Sequence, residues 1–380
     1  MKKFAALLFM LMLLSAGALA EPQVTRQGLE LGAGYVYYPQ VEGMDDPALQ
    51  EAVNAALRRE TGAEELLMRL PLTMSATVPL QADYVCLVQG DVLSAVTRAE
   101  GPVVSQRATQ MWYAANIDLT RGEVITLDDL FSDADAARAF LEEYLEWELA
   151  PGLSAHLRSA QLTPMPESFG LSSTGLTLYY PFEQLATLSD RAGTVNLQWC
   201  EMLPYLRLGE GSVLRRLGAE DMVTLNDSSA QAIRAAAETG ALPGIPAQLG
   251  ASVQEAVDTY RLLIDPDLYE GGRMIQLEDG AFRGVYLLTD SLTDSWSSSV
   301  IRGIRTDRIN LHGLCTGVTT REEWRAVLGE SDASVTVDAD KAEMNRMVPG
   351  ISDYYNFQGV QLRLHANGEG VLTSVILTIN

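Results

Sequence analysis

The side chains able to do acid–base or metal chemistry are unevenly supplied in this sequence. Only three histidines occur, His156, His312 and His365, and no two stand at a helical metal-ligand spacing, which disfavours a zinc hydrolase. Carboxylates abound, as in Asp128 beside Asp129. In a chain with 50 acidic side chains such pairs arise without design, and most read as solvated or helix-starting residues. A calcium loop requires oxygen ligands at alternate positions, a glycine and a distant glutamate. Asp265, Asp267 and Glu270 before Gly271 come nearest and fail the spacing. The segment GLSSTG at 170–175 lacks the glycine that a nucleophile elbow places two residues after its serine. Gly209 and Gly211 lack the third glycine of a dinucleotide fingerprint, and Ser295 with Ser297, Ser298 and Ser299 reads as a turn. No cofactor is implied. Catalytic residues can still converge from distant positions, so an enzyme stays open as an alternative.

Cys86, Cys200 and Cys315 are too few and too far apart for a disulfide scaffold or a zinc cage. One bridge can form, and Cys86 with Cys200 is the pair to expect because both fall in the amino-terminal half. Buried free thiols are the alternative.

Charge narrows the partners. The sequence carries 27 basic and 50 acidic residues, a formal net charge of −23. Nucleic acid and anionic membrane both demand positive potential and are excluded as expected partners. A cationic protein or divalent ions would be attracted, while the acidity also serves simple solubility. Lys2 and Lys3, the apolar stretch Phe4 to Leu14 and the small-residue site Ala18, Leu19, Ala20 have the form of a secretory signal over residues 1–20. That stretch is short for a membrane span, and no later one is long and apolar enough. The expectation is a secreted, extracytoplasmic protein with no stable membrane anchor after cleavage. Lys341 is then the last lysine left, and it reads as a surface residue.

The elements that must position any site follow from periodicity. Asp46 before Pro47 reads as a helix cap with proline in the first turn, and Leu49, Val53 and Leu57 recur on one face. Tyr84 to Val96 is a strand pair turning at Gly90 and Asp91, and Trp112 to Leu119 is a further strand. Ser132 with Asp135 reads as a capping box before a helical stripe of Phe140, Leu141, Tyr144, Leu145 and Leu149. Leu176, Leu178 and Tyr180 alternate along one strand, Val195, Leu197 and Trp199 along another. This mixture predicts an α+β fold, an antiparallel sheet with packed helices.

Three segments carry a family resemblance. They are YVYYPQVEGMDDPALQEAVNAALRR from Tyr35, IDLTRGEVITLDDLF from Ile117, and GLTLYYPFEQLATLSDRAGTVNLQWCEMLPY from Gly175. They resemble the paired uncharacterised extracytoplasmic domains of the DUF4163/DUF3298 type, also found in a lysozyme-sensing anti-sigma factor and a peptidoglycan deacetylase. The resemblance covers residues 35 to about 208 and implies a cationic wall hydrolase such as lysozyme as partner. The chain has neither a transmembrane segment nor a deacetylase domain of those relatives, so signal transduction and deacetylation do not carry over.

The expected organisation is a signal peptide at 1–20, an α+β domain pair at 21–208, a helical linker at 209–248 and a tandem-repeat domain at 249–380. The linker contains an alanine-rich helix from Ser228 to Thr239, ended by Gly240. The repeat is written twice at one offset: FRGVYL at 282–287 matches FQGVQL at 357–362, and SVIRGI at 299–304 matches SVILTI at 374–379. Capped helices precede both copies, at Ser252 with Glu255 and at Thr320 with Glu323. Their smaller spacing demands a seven-residue insertion between Glu330 and Arg346 in the second copy. Helix followed by a small antiparallel sheet, repeated, is similar to the architecture of secreted β-lactamase inhibitor proteins and small envelope-assembly lipoproteins.

Strand alternation then names a candidate binding face. With Val360, Leu362 and Leu364 turned to the helix, Gln361, Arg363 and His365 turn outward, joined from the first copy by Tyr286 between Val285 and Leu287. The function read from all this is a secreted, non-catalytic binding protein of the cell envelope, whose partner is a cationic wall hydrolase or a wall polymer. A wall-modifying enzyme with a dispersed site and an envelope-assembly scaffold are the alternatives.

Overall fold

The computed structural model describes residues 22–102, 109–149, 168–179, 194–260, 262–269, 272–277, 284–293 and 296–379. The signal segment, His156, Tyr180 and Phe282 lie outside them. The chain divides into two compact units, Met1–Ile125 and Thr126–Asn380.

The first unit is a six-stranded sheet in the order β1 to β6: β1 (Gln23–Leu31), β2 (Gly34–Glu42), β3 (Gln81–Gln89), β4 (Val92–Gly101), β5 (Thr109–Asp118) and β6 (Glu123–Val124). Every pairing is antiparallel except β2 with β3. That pair is parallel because helices α1 (Pro47–Glu60) and α2 (Ala63–Arg69) carry the chain across. The Asp46 carboxylate accepts from Ala48 N–H at 2.8 Å and Leu49 N–H at 3.2 Å, as the Asp-Pro start predicts. Val53 and Leu57 on the predicted stripe are fully buried against Val41, Leu93, Ala95, Ala115 and Ile117. Beside them the buried Asn54 amide accepts from Val41 N–H at 2.7 Å and donates to its carbonyl at 2.9 Å. No polar group of that amide is left stranded in the core. The hairpin turns where expected, with Gly90 at φ +55°. Between the helices Gly62 is obligatory: its φ is +69°, and a Cβ would lie 2.6 Å from the Tyr113 ring.

The second unit starts with the turn Leu127–Leu130, where Asp129 accepts from Thr126 N–H at 2.8 Å. Helix α3 (Ala134–Leu149) follows. Its cap is Asp133, which accepts from Ala136 N–H at 3.0 Å, whereas Ser132 donates its hydroxyl to the Tyr205 carbonyl. The cap thus falls one residue later than the expected Ser132. Strands β7 (Ser168–Leu171), β8 (Gly175–Tyr179) and β9 (Thr194–Gln198) form a small antiparallel sheet, so the amino-terminal half holds two sheets. Short helices α4 (Val213–Arg216) and α5 (Ala219–Val223) lead to α6 (Ser229–Glu238). The segment read as a linker is part of the core, since Ile233, Ala237 and Leu242 are buried among the repeat residues. Its alanines look linker-like in sequence because small side chains let α6 approach the sheet closely.

The repeat is confirmed by topology. The first copy contains α7 (Val253–Thr259), β10 (Leu262–Tyr269), β11 (Gly272–Leu277), β12 (Val285–Thr289) and β13 (Ile301–Thr306). After the hairpin β14 (Asn310–Leu311) and β15 (Leu314–Cys315), the second contains α8 (Arg321–Leu328), β16 (Ala333–Val337), α9 (Ala339–Met344), β17 (Gly350–Phe357), β18 (Val360–Asn367) and β19 (Leu372–Ile379). All eight large strands join in one antiparallel sheet ordered β10-β11-β12-β13-β19-β18-β17-β16, two four-strand meanders meeting at their last strands.

The FRGVYL and FQGVQL match is structural: Gly284 and Gly359 sit at φ +77° and +82°, and β12 and β18 begin at the following valines. The SVIRGI and SVILTI match is accidental. In the first copy Val253 N–H donates to Ser299 O and Ile301 N–H to Ala251 O; in the second Arg321 N–H donates to Gly370 O and Leu372 N–H to Thr319 O. Ser299 therefore corresponds to Gly370, while Ser374 lies inside β19. A shorter connection between β18 and β19 shifts the register, and alternating apolar strands match one another at many offsets.

Candidate functional site

The repeat sheet has a helix face and an open face, and the two carry different chemistry. On the helix face Val285, Leu287, Ile304, Leu362, Leu364, Val375 and Leu377 pack on Trp324 and the helices. One charge interrupts this layer. Asp353 of β17 is wholly buried and accepts from Arg321 Nε and Nη2 at 2.9 and 2.8 Å, Arg325 Nε at 2.9 Å, Ser334 Oγ at 2.6 Å and Trp324 Nε1 at 3.2 Å. Burial alone would raise its pKa, but the donors from Arg321, Ser334 and Arg325 win and hold the carboxyl well below the usual carboxylate range. Its two ion pairs fasten α8 to the sheet.

On the other face, cross-strand neighbours build a ladder. Tyr286 pairs with Arg305, Arg305 with Ile376, Ile376 with Arg363 and Arg363 with Tyr354. Each guanidinium lies over a tyrosine, Arg305 at 4.7 Å from the Tyr286 ring centroid and Arg363 at 5.4 Å from that of Tyr354. Aromatic, arginine, isoleucine, arginine and aromatic thus run across five strands, with a near mirror about β19. Gln361, paired with Thr378 and with Asn356, extends the polar surface along the next row.

The connection from β16 to β17, residues 338–349, lies over part of this face. In the first copy the equivalent strands, β10 ending at Tyr269 and β11 starting at Gly272, follow one another far more closely in sequence. Its helix α9 is capped by Asp338, which accepts from Lys341 N–H at 2.9 Å, and Lys341 is on the surface as expected. Arg305 donates through Nη1 to Asn345 O and through Nη2 to Arg346 O, both at 2.7 Å, and holds Asp307 through Nε and Nη2. Met347 packs on Met274, Leu288 and Ile376. This covering segment is the inserted sequence the helix spacing demanded, and it is longer than seven residues because the β17–β18 turn is correspondingly shorter.

The insertion changes the status of the four expected face residues. Tyr286, Gln361 and Arg363 are half-buried on the face, as alternation predicts. His365 shares their face but is 0 % exposed, and this corrects the expectation that it is open. Its Nε2 lies 2.8 Å from the Val348 carbonyl, which can only accept, so Nε2 carries the proton. Its Nδ1 then accepts from the Ser352 hydroxyl at 2.9 Å, and Ser352 Oγ accepts from Arg363 Nε at 2.9 Å. Both ring nitrogens are committed, and the ring is neutral. Burial holds its pKa below the ordinary value against the Val348 hydrogen bond, with Arg363 and Arg305 adding to the depression.

Arg305 and Tyr354 are the face residues sequence reasoning missed. Tyr354 was findable, since it stands one before Tyr355 in a strand whose neighbours alternate. Arg305 stands one residue past the SVIRGI segment and carried no pattern of its own in the sequence. Among the described residues no three His, Cys, Asp or Glu side chains gather to hold a metal ion, and no helix is long and apolar enough to cross a membrane.

The fold places the chain among α+β proteins with antiparallel sheets and a tandem-repeat carboxyl-terminal sheet, and it is similar to an uncharacterised domain of the DUF3298 type. Two solved DUF3298 family structures match it. One, from Bacteroides fragilis, is 13% identical and covers 52% of this chain and 96% of its own, with a TM-score of 0.32. The other, from Pseudomonas aeruginosa, is 11% identical, covers 49% and 93%, and has a TM-score of 0.33. A DUF4309 family protein from Bacillus subtilis matches at 14% identity over 41% of this chain and 100% of its own, with a TM-score of 0.26. No protein-family model and no curated protein matches the sequence.

Proposed function

We propose that this chain is a secreted, non-catalytic binding protein of the cell envelope, and that its contact surface is the open face of the repeat sheet around Tyr286, Tyr354, Gln361 and Arg363. The observation that carries the reading is the tyrosine–arginine ladder. Rigid aromatic rings beside oriented guanidinium and amide donors are what interface centres favour over ordinary solvated surface. His365 supports the same reading. It spends Nδ1 on the Ser352 hydroxyl and Nε2 on a backbone carbonyl, so both ring nitrogens are already engaged.

Of the partners considered, a wall polymer suits this face best. Tyrosine rings can stack on sugar faces, and Arg363, Gln361 and Asn356 offer donors to hydroxyl and carboxylate oxygens. A cationic hydrolase would meet Arg363 with the wrong sign and would have to be held by acidic surface elsewhere. The test is sedimentation of the purified chain with isolated wall sacculi, comparing wild type with the Tyr286→Ala, Gln361→Ala double variant. Loss of at least ten-fold in affinity at unchanged melting temperature is the expected result. Equal sedimentation of the two, or release of soluble wall fragments, would overturn the reading.

A further inference from the structure

The buried cysteines supply an inference independent of the binding face. Cys200 lies in the 3₁₀ segment Trp199–Tyr205 that follows β9, and Cys315 ends the β14–β15 hairpin. The sequence suggests Cys86 with Cys200 as the pair; all three cysteines are free thiols in this structure. The Cys200 segment lies against the hairpin that ends in Cys315, whose own thiol reaches the Val223 carbonyl at 3.9 Å. The backbone explains why. Asn310 is the cross-strand partner of Cys315, and its side-chain oxygen accepts from Cys200 N–H at 3.3 Å. The Cys200 thiol also reaches the Ile309 carbonyl at 3.4 Å.

One residue along on each side, Glu201 receives Arg308 in a two-pronged pair at 2.8 and 2.8 Å, and Arg308 continues to Tyr144 Oη at 2.5 Å and Asn196 O at 2.9 Å. The side chains of Arg308 and Glu201 are only 20% and 19% exposed. Two segments more than a hundred positions apart in sequence are therefore fixed in register by a bidentate ion pair and three backbone-linked contacts, with the thiols at the centre. Both sulfurs are buried, Cys200 at 2% and Cys315 at 1% exposure.

We propose that Cys200 and Cys315 are a disulfide-forming site, closed when the chain folds in the presence of a disulfide-exchanging oxidant. In the reaction one thiolate attacks the oxidant disulfide and expels one of its thiols. The second cysteine thiolate then displaces the other, joining the two protein sulfurs. Two cysteine thiols are oxidised to one disulfide, and one oxidant disulfide is reduced to two thiols, which take up the two protons. Burial makes the closed bond resistant to later exchange, because attack needs access to a sulfur. The third cysteine, Cys86, stays a thiol, its pKa pushed up to about 11 by burial.

The test uses the full chain, denatured and refolded in a mixture of oxidised and reduced glutathione, alkylated without reduction and mapped by peptide mass spectrometry. The expected result is one linked peptide pair containing Cys200 and Cys315 with Cys86 alkylated, so that free thiols fall from three to one. The Cys86→Ser variant, treated alike, should show no free thiol. Alkylation of all three cysteines, or a link involving Cys86, in protein whose circular dichroism is native would overturn the proposal. Because the readout is a covalent map of purified protein, it stands or falls apart from the binding assay.

Discussion

The two copies of the repeat share a frame and differ in what has been added to it. In both, a helix docks beside a four-strand meander, the helix entry is tied to the last strand by the same pair of backbone hydrogen bonds, and a left-handed glycine opens the third strand. The second copy alone adds the covering connection 338–349, the buried Asp353 cluster and a complete helix cap. The cap shows the scale of the difference: Glu323 accepts from Thr320 N–H at 2.7 Å and the Thr320 side chain caps the helix, whereas Ser252 makes no side-chain cap bond. A duplicated frame thus keeps its core while one copy acquires the polar parts that shape a surface. The lesson is that the apolar frame is repeated and the chemistry is not.

The largest effect that should separate the copies is at Asp353. Asp353→Ala leaves Arg321, Arg325 and Trp324 without their common acceptor and should cost about 3–5 kcal/mol, read by urea denaturation. No residue of the first copy's described helix face carries a comparable penalty. Next come substitutions that should make the copies look alike. Leu287→Ala and Leu362→Ala, equivalent positions wholly inside the core, should each cost about 2–5 kcal/mol and agree within about 1 kcal/mol. A large disparity would break the equivalence of the frames. The caps give a smaller contrast: Thr320→Ala should cost about 1 kcal/mol, and Ser252→Ala less than half of that.

Acid should act on the second copy through His365. Its folded-state pKa lies below the ordinary 6.5, so the unfolded chain binds the proton first. Stability is complete above about 6.5 and falls as pH drops below it. Protonation would force a donor onto Nδ1 near the Arg363 and Arg305 guanidinium groups, whose charge disfavours it, while the carboxylate of Asp307, just past the end of β13, acts in the opposite sense. His312 is also depressed by burial and contributes in the same direction. The His365 share is therefore read as the drop in the slope of stability against pH, between pH 5 and 6.5, on going from wild type to His365→Gln.

Much of the frame was legible because it is written in periodicity and caps. Asp46 with Pro47, the turn at Gly90 and Asp91, the alternation of Val360, Leu362 and Leu364, and the Thr320 cap each state a local rule that tertiary packing then obeys. The face of the sheet was legible for the same reason, since parity alone puts Tyr286, Gln361, Arg363 and His365 on one side. Coverage was not. The segment over His365 is a polar connection without period, anchored by backbone carbonyls of Asn345, Arg346 and Val348, and carbonyls carry no sequence signal. The placement of the Cys200 segment against the Cys315 hairpin was hidden likewise, because it depends on a register between segments far apart in the chain.

The central claim is that the open face of the repeat sheet is where the protein meets a wall polymer. The most direct measurement is amide hydrogen exchange of the full chain with and without a soluble wall fragment. Added protection is expected only in β12, β17, β18 and β19 and the covering connection 338–349. Protection confined to the amino-terminal unit, or none at saturating fragment, would contradict it.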